Sequence, residues 1–378
     1  MHRAYIKMIA IFAIINIYSS QAIATATCTT TGTPGDQTVN INGSFYAGEE
    51  LPIGTVLYQA DLDASGPGGP GMSLTCSESY DDLGTSLYAH AITEPSGLPS
   101  AVSGSPISGK IYPTNVPGVG VAVTMGNMGT ESITSSPMFA GTVHNDTRHM
   151  YHRVWLIKTG NIPSGSSISG TSFPTIQVYY TANQSVIGLP AIFGTLRFSG
   201  TMNVTTKTCQ TPSYNVDMGT YKSSEFSGIG STTPWVDASI KLTNCPQFLG
   251  YHYNQSIVGS GTPSGDTYTA NLFKVELRPM TTTSDDGYIN VGTEQGDGII
   301  SPGSATGVKL QLGYSTHLNG DATSSPSLWN PSSKWSIELP KHILNYVNIP
   351  LSARYKQTED RVKPGNADAK VVFTISYY

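Results

Sequence analysis

The chain has 378 residues, enough for two packed domains, and 12% of them are charged, about half the usual ~25%. A formal net charge of −5 without any basic run excludes nucleic acid as an expected partner. Forty glycines, 24 prolines and 21 tyrosines, set among abundant Ser and Thr, suit strands and turns and argue against a helical protein.

Residues 1–24 read as a secretion signal. Arg3 and Lys7 supply the positive start, Met8 to Ile17 a short apolar run, and small residues allow cleavage after Ala24 or Ala26. Ten apolar residues are too few to span a bilayer, and no later stretch approaches the ~20 required, so a soluble exported product is expected. Four cysteines allow three pairings. Their grouping favours Cys28–Cys76 and Cys209–Cys245 as structural disulfides.

Strand-like pieces then follow in order: TVNINGSFYAG, GTVLYQADLD, MSLTCSE, VGVAVTMG, HRVWLIKTG, TIQVYYTAN, FGTLRFSGTM, WVDASIKLTNC, LFKVELRP, GVKLQLGY, KWSIELP and NIPLSARYKQ. Gly, Pro or Ser clusters separate them without βαβ alternation, which predicts β-sandwiches or barrels. The best helical candidate, PKHILNYVNIP, is bracketed by prolines too closely for more than a turn or two. A junction near Thr205, before Cys209, divides the chain into residues 25–205 and 206–378.

Enzyme motifs are weak. The G-x-G-x-x-G at Gly66, Gly68 and Gly71 is interrupted by prolines and leads into a strand, where phosphate binding needs a helix. His144, His149 and His152 lie together, but residues three apart on a strand face opposite ways, so solvated or hydrogen-bonded histidines are expected, with no metal or cofactor.

The chain ends GNADAKVVFTISYY. Ala369, Val371, Phe373, Ile375 and Tyr377 fall on one face, and no cap follows. With TKTCQTPSYNVDMGTY, STTPWVDASIKLTNC, ATGVKLQL and NIPLSARYKQ before it, this tail resembles a chaperone–usher pilin domain. Gly365, fourteenth from the end, and the penultimate Tyr377 carry the match. The resemblance implies an immunoglobulin-like sandwich over 206–378 that lacks its seventh strand. Gly365, Ala369, Val371, Phe373, Ile375, Tyr377 and Tyr378 would then border a groove that a partner strand must cover by β-augmentation. A periplasmic pilus chaperone would fill it first, holding the Tyr378 carboxylate, and the adjacent pilin subunit would follow at the outer-membrane usher.

Residues 25–205 resemble, through ELPIGTVLYQ, MSLTCSES, GKIYPTNVPGVGVAV and VWLIKTGNIPSGSSISG, the receptor-binding domain of two-domain fimbrial tip adhesins, the type 3 adhesin above all. Ala122 stands where that adhesin carries an arginine. The resemblance implies a jelly-roll-like lectin sandwich. A chain with a groove but no donor strand of its own is expected at the fimbrial tip, on the bacterial surface.

By likeness to the mannose-binding tip adhesin, two loops are candidates for a host carbohydrate or glycoprotein: Ser77, Glu78, Tyr80, Asp81 and Asp82, and Lys158, Thr159 and Asn161. Carboxylates, amides and aromatic rings suit sugar hydroxyls and the ring's apolar face. Glu78 replaces that family's asparagine. The alternatives are a structural tip or initiator subunit that binds little, and an exported glycan-cleaving enzyme using Glu78, Asp81 and Asp82.

Overall fold

The computed structural model describes residues 26–63, 72–78, 80–126, 129–143, 147–148, 151–258, 264–293, 301–341 and 345–378. The signal reading, the glycine motif, His144 and His149 lie outside them, as do the side chains of Tyr80 and Asp81.

The fold is almost wholly β. Its principal strands are β1 (Gln37–Tyr46), β2 (Val56–Asp63), β3 (Ser86–Thr93), β4 (Val119–Met125), β5 (Met138–Thr142), β6 (Tyr151–Lys158), β7 (Thr175–Thr181) and β8 (Ala191–Thr205). In the second half come β9 (Tyr251–Val258), β10 (Ser264–Thr269), β11 (Leu272–Pro279), β12 (Val308–Tyr314), β13 (Trp335–Glu338), β14 (Leu351–Gln357) and β15 (Val371–Tyr377). Alternation builds them: in TIQVYYT of β7, Ile176, Val178 and Tyr180 are buried and their neighbours are not.

Two sheets face each other in the first half. One runs β10–β9–β2–β6–β4 with Tyr112–Pro113 beyond; the other runs Ser166–Ser169, β8, β7, β3, β5, with β1 parallel to β8. Their inner faces enclose one core, which includes Val39, Ile41, Leu57, Val121, Val154, Ile176 and Leu196. A Cys28–Cys76 disulfide ties the small Cys28–Gly32/Met72–Cys76 ladder at one end. The second half has its own core around Phe248, Phe273, Leu310, Trp335 and Ile349, near a Cys209–Cys245 disulfide. Val236–Asp237, β14, β12 and Tyr288–Asn290 form one layer, and β13–β11–β15 forms another sheet.

Three of the segments read as elements differ from that reading, and β3, β5, β9 and β10 are strands that it did not foresee. The expected helical turn contains a strand, Tyr346–Ile349, because its Val347 and Ile349 bury themselves beside Ile240–Thr243; residues 342–344 lie outside the described set. NIPLSARYKQ is two strands, since Pro350 has no N–H for a continuous ladder. WVDASIKLTNC is likewise broken, by a turn in which Ser239 N–H donates to Asp237 Oδ1 at 2.9 Å.

The halves also interlock. The β9–β10 hairpin, late in sequence, adds to the first sheet: β9 lies parallel to β2, and Ile257 enters the first core. Tyr58 donates its hydroxyl hydrogen to Gln255 Oε1 at 2.8 Å. In return Tyr46 enters the second core, 5.0 Å ring to ring from Phe248.

Candidate functional site: an open groove beside the last strand

Strand β15 is paired on one side only. Its ladder to β11 runs from Phe273↔Tyr377 to Pro279↔Val371, and among the described residues it is the edge of its sheet. Tyr378 exchanges both backbone hydrogen bonds with Leu272 at 2.9 Å, and the Lys370 carbonyl accepts from Met280 N–H. Even-numbered residues therefore bond toward β11. By the alternation of an antiparallel ladder, the N–H and C=O of Val371, Phe373, Ile375 and Tyr377 point to the outer edge.

Beside that edge lies a cavity of about 880 Å³. Its floor is Leu277, Leu310, Leu312, Leu351 and Ala353, with Tyr355 beside them. One wall is Ala367 to Val371 and Phe373; the other is Ser213–Gly219. That second wall is not a strand, and no backbone–backbone hydrogen bond joins 211–221 to another described residue. Tyr214 leans across, its ring 6.5 Å from Phe373 and its hydroxyl donating to the Ala238 carbonyl at 2.8 Å. Burial, with Asp237 nearby, pushes that phenol up to about 12. A trough with an apolar floor between two unpaired stretches of backbone offers the free N–H and C=O groups and side-chain pockets that β-augmentation uses.

The expected groove residues separate into two sets. Ala369, Val371 and Phe373 line the cavity. Ile375 packs on the core beyond it, and Tyr377 is buried among Phe248 and Phe273, its hydroxyl accepting from Cys209 N–H at 3.1 Å. Burial chiefly raises its phenol to about 12, with Glu50 adding and the Cys209 bond opposing. Tyr378 is held by Leu272 and by the Asn271 side-chain amide. Gly365 sits in a loop against Ser304–Ala305, where a Cβ would come within 2.3 Å of backbone.

The two candidate ligand loops are at opposite ends of the first sandwich. Ser77 exchanges hydrogen bonds with Thr27, and the Asp82 carbonyl accepts from Gln184, so Ser77 and Asp82 lie where β7 ends and β8 begins. Lys158 reaches the Gly48 and Glu49 carbonyls, just past the end of β1 and beside the end of β8. The 15 residues of β8 separate them, on the order of 50 Å at ~3.3 Å per residue. One site built from both loops is therefore corrected: the loops leave opposite ends of strands. Lys158 is itself 3% exposed with its ammonium spent on carbonyls, while Thr159 and Asn161 flank it at that same end.

A cross-strand row escaped the sequence reading. On the outer face of β5–β3–β7–β8 stand Phe139, Tyr88, Tyr179 and Ile192, directly paired strand to strand. Tyr88 meets Phe139 edge-on at 5.7 Å and Tyr179 in stacked fashion at 6.2 Å; Phe139 and Ile192 are about half exposed. His90 and Gln177 form the next row, 3.5 Å apart. The row is at the end that carries Ser77–Asp82. The reading of TIQVYYT as a strand put Tyr179 on one face, but SLYAHAIT was not foreseen as a strand, and pairing across strands is not written in either alone.

His152 is the other correction. It is 1% exposed on β6, between Leu62 and Met125, and neither ring nitrogen has a partner among the described residues. Alternation with Val154 and Leu156 carries it inward, and burial lowers its pKa to about 4, so it is neutral.

Comparison with known proteins bears on the second half most directly. Residues 196–378 match the family described as Fimbrial protein, a match that begins within β8. That match spans 183 of the 378 residues, just under half of the chain. No curated protein matches the chain. Among solved structures, the CupB6 tip adhesin of Pseudomonas aeruginosa is 12% identical, covering 93% of this chain and 94% of its own, with a TM-score of 0.33. The receptor-binding domain of the plasmid-born adhesin MrkD1P of Klebsiella pneumoniae is 14% identical over 48% of this chain and 99% of its own, TM-score 0.27. The chaperone–tip subunit complex CsuC–CsuE of Acinetobacter baumannii gives 11%, 92%, 100% and 0.24. At such scores the likeness does not extend to individual residues.

Proposed function

We propose that this chain is the tip adhesin of a chaperone–usher fimbrium, with residues 25–205 presenting a receptor-binding face and residues 206–378 awaiting a donor strand. The observation that carries this reading is the trough in the fimbrial-protein segment, open between Ser213–Gly219 and the outer edge of β15. An extended segment laid there pairs with the free N–H and C=O groups of β15 and sinks alternate apolar side chains onto Leu310, Leu312 and Leu351. A periplasmic chaperone supplies that segment first and the adjacent pilin subunit afterwards, at the usher, so the adhesin ends at the fimbrial tip on the cell surface.

The first sandwich then faces outward with its far end, which carries both Ser77, Glu78 and Asp82 and the Tyr88–Tyr179 row. Carboxylates and amides accept and donate to sugar hydroxyls, and aromatic faces meet the apolar face of a pyranose. Contact at so shallow a site is weak singly and is multiplied by many fimbriae per cell. Holding a host glycan or matrix glycoprotein needs geometry and no bond-making step.

Full-length chain loaded with an alternating apolar peptide is applied to glycan and matrix-glycoprotein arrays. Retained signal that falls with Tyr88→Ala or Glu78→Ala is the expected result. A loaded chain that binds nothing favours a structural tip or initiator subunit instead.

A further inference from the structure

The outer edge of β15 is not free to its end. Tyr377 turns both backbone groups outward, and both are met by the loop after β1. Its N–H donates to Glu50 Oε2 at 3.1 Å. Its carbonyl is crowded by Gly48, where an added Cβ would lie 1.9 Å from the oxygen. The loop is braced from behind: buried Lys158 donates to the Gly48 carbonyl at 3.0 Å and to the Glu49 carbonyl at 2.6 Å. Burial lowers the Lys158 pKa, and the charges of Glu50 and Glu49 oppose that fall. The ring of Tyr46, at the base of the loop, is locked against Phe248, which stacks on Tyr377. The first half of the chain thus occupies the last rung of the second half's open edge.

We infer that residues 47–50 are a stop that sets the register of the strand received in the groove. This rests on the strand-acceptor reading proposed for β15. The incoming strand pairs with Val371, Phe373 and Ile375 and ends there, because the next rung is filled by a carboxylate on the donor and a glycine against the acceptor. The occupant is an extended peptide segment with alternating apolar side chains, fitted to the leucine-rich floor. Continuing past Ile375 would require it to displace Glu50 and to part Gly48 from Tyr377. Two like charges, Glu49 and Glu50, further disfavour an acidic residue at that end of the partner. Glu50 acts on specificity: it selects how far a partner strand extends, and through it the first half of the chain fixes where in the groove the partner sits.

The test uses the full chain and synthetic peptides whose five-residue alternating apolar core is lengthened by two residues at its N-terminal or its C-terminal end. Affinities are measured by calorimetry for the parent chain, Glu50→Ala and Glu50→Gln. One lengthened peptide, the one reaching toward Ala369, binds more tightly to all three. The other gains less than about twofold on the parent and on Glu50→Gln, which keeps an acceptor, and gains about fivefold or more on Glu50→Ala, the value of roughly one added hydrogen bond. Amide exchange without peptide supplies a second reading: the Tyr377 amide is protected in the parent and exchanges faster in Glu50→Ala. Equal gains on the parent and Glu50→Ala, or a Tyr377 amide indifferent to Glu50→Ala, would overturn the stop. A failure of every peptide to bind any of the three chains would instead overturn the strand-acceptor reading, whichever way the Tyr377 amide behaves.

Discussion

Strands β8 and β15 carry the same kind of sequence and have opposite fates. FGTLRFSGTM and VVFTISY both alternate apolar with polar residues. β8 has neighbours on both sides, β7 and Ser166–Ser169 antiparallel and β1 parallel, and its apolar residues face a closed core. β15 has β11 alone, with a trough beyond. Alternation specifies a strand and its inward face; it does not specify whether the chain itself supplies the next strand. In the second half, the described chain leaves that edge unpaired.

The largest effect expected from breaking this contrast comes from deletion of residues 371–378. Tyr377 is buried in the second core and Val371, Phe373 and Ile375 pack partly on it; with full burial worth about 1.5–3 kcal/mol per side chain, their loss removes a large part of the ~5–15 kcal/mol of a whole domain. Limited proteolysis should find the second half digested while fragments of the first half persist. A full-length digestion pattern in the truncated chain would contradict the packing described.

Next comes an acid-dependent loss confined to the first half. His152 has a folded pKa of about 4, below the unfolded ~6.5, so the unfolded chain binds the proton more readily. The stability from keeping it neutral is whole above pH 6.5 and drains away as pH falls to 4, by about 3 kcal/mol in all. Unfolding midpoints between those pH values should slope in the parent and flatten in His152→Leu. The second half, without such a histidine among its described buried residues, should not share the slope.

Lys158→Met strips the Gly48 and Glu49 carbonyls of their charged donor and should destabilise by about 2 kcal/mol in denaturant titration, acting where the two halves meet. The smallest change is Tyr377→Phe. It leaves the buried Cys209 N–H without its acceptor and should lower stability by about 1 kcal/mol. Together they sharpen the comparison, since the first loosens the loop beside β15 and the second only the core behind it.

Much of this was legible in the sequence, for definite reasons. Period-two alternation located most long strands, and the pairs Cys28–Cys76 and Cys209–Cys245 follow the grouping of the cysteines. The tail's apolar face was visible in VVFTISYY because each side chain's direction depends only on its own strand. What was hidden depends on partners distant in sequence. The hairpin YHYNQSIV–SGDTYT crosses to the first sheet through parallel pairing with β2, a contact that neither segment encodes by itself. Lys158 looked like a polar loop residue, yet it is buried because carbonyls more than a hundred residues earlier receive its ammonium. The row Phe139–Tyr88–Tyr179–Ile192 draws on four strands and exists only once they are in register. Ser77–Asp82 and Lys158–Asn161 each looked like ligand loops, and only the length of β8 shows how far apart they are.

The most direct measurement is amide hydrogen exchange at Val371, Phe373 and Ile375 in the purified full chain, with and without an alternating apolar peptide. Those three amides should exchange rapidly in the chain alone, in contrast to Val372 and Thr374, and become protected as peptide is added. Slow exchange at all three in the partner-free chain, unchanged by peptide, would mean that the edge of β15 is already satisfied and that no strand is awaited there.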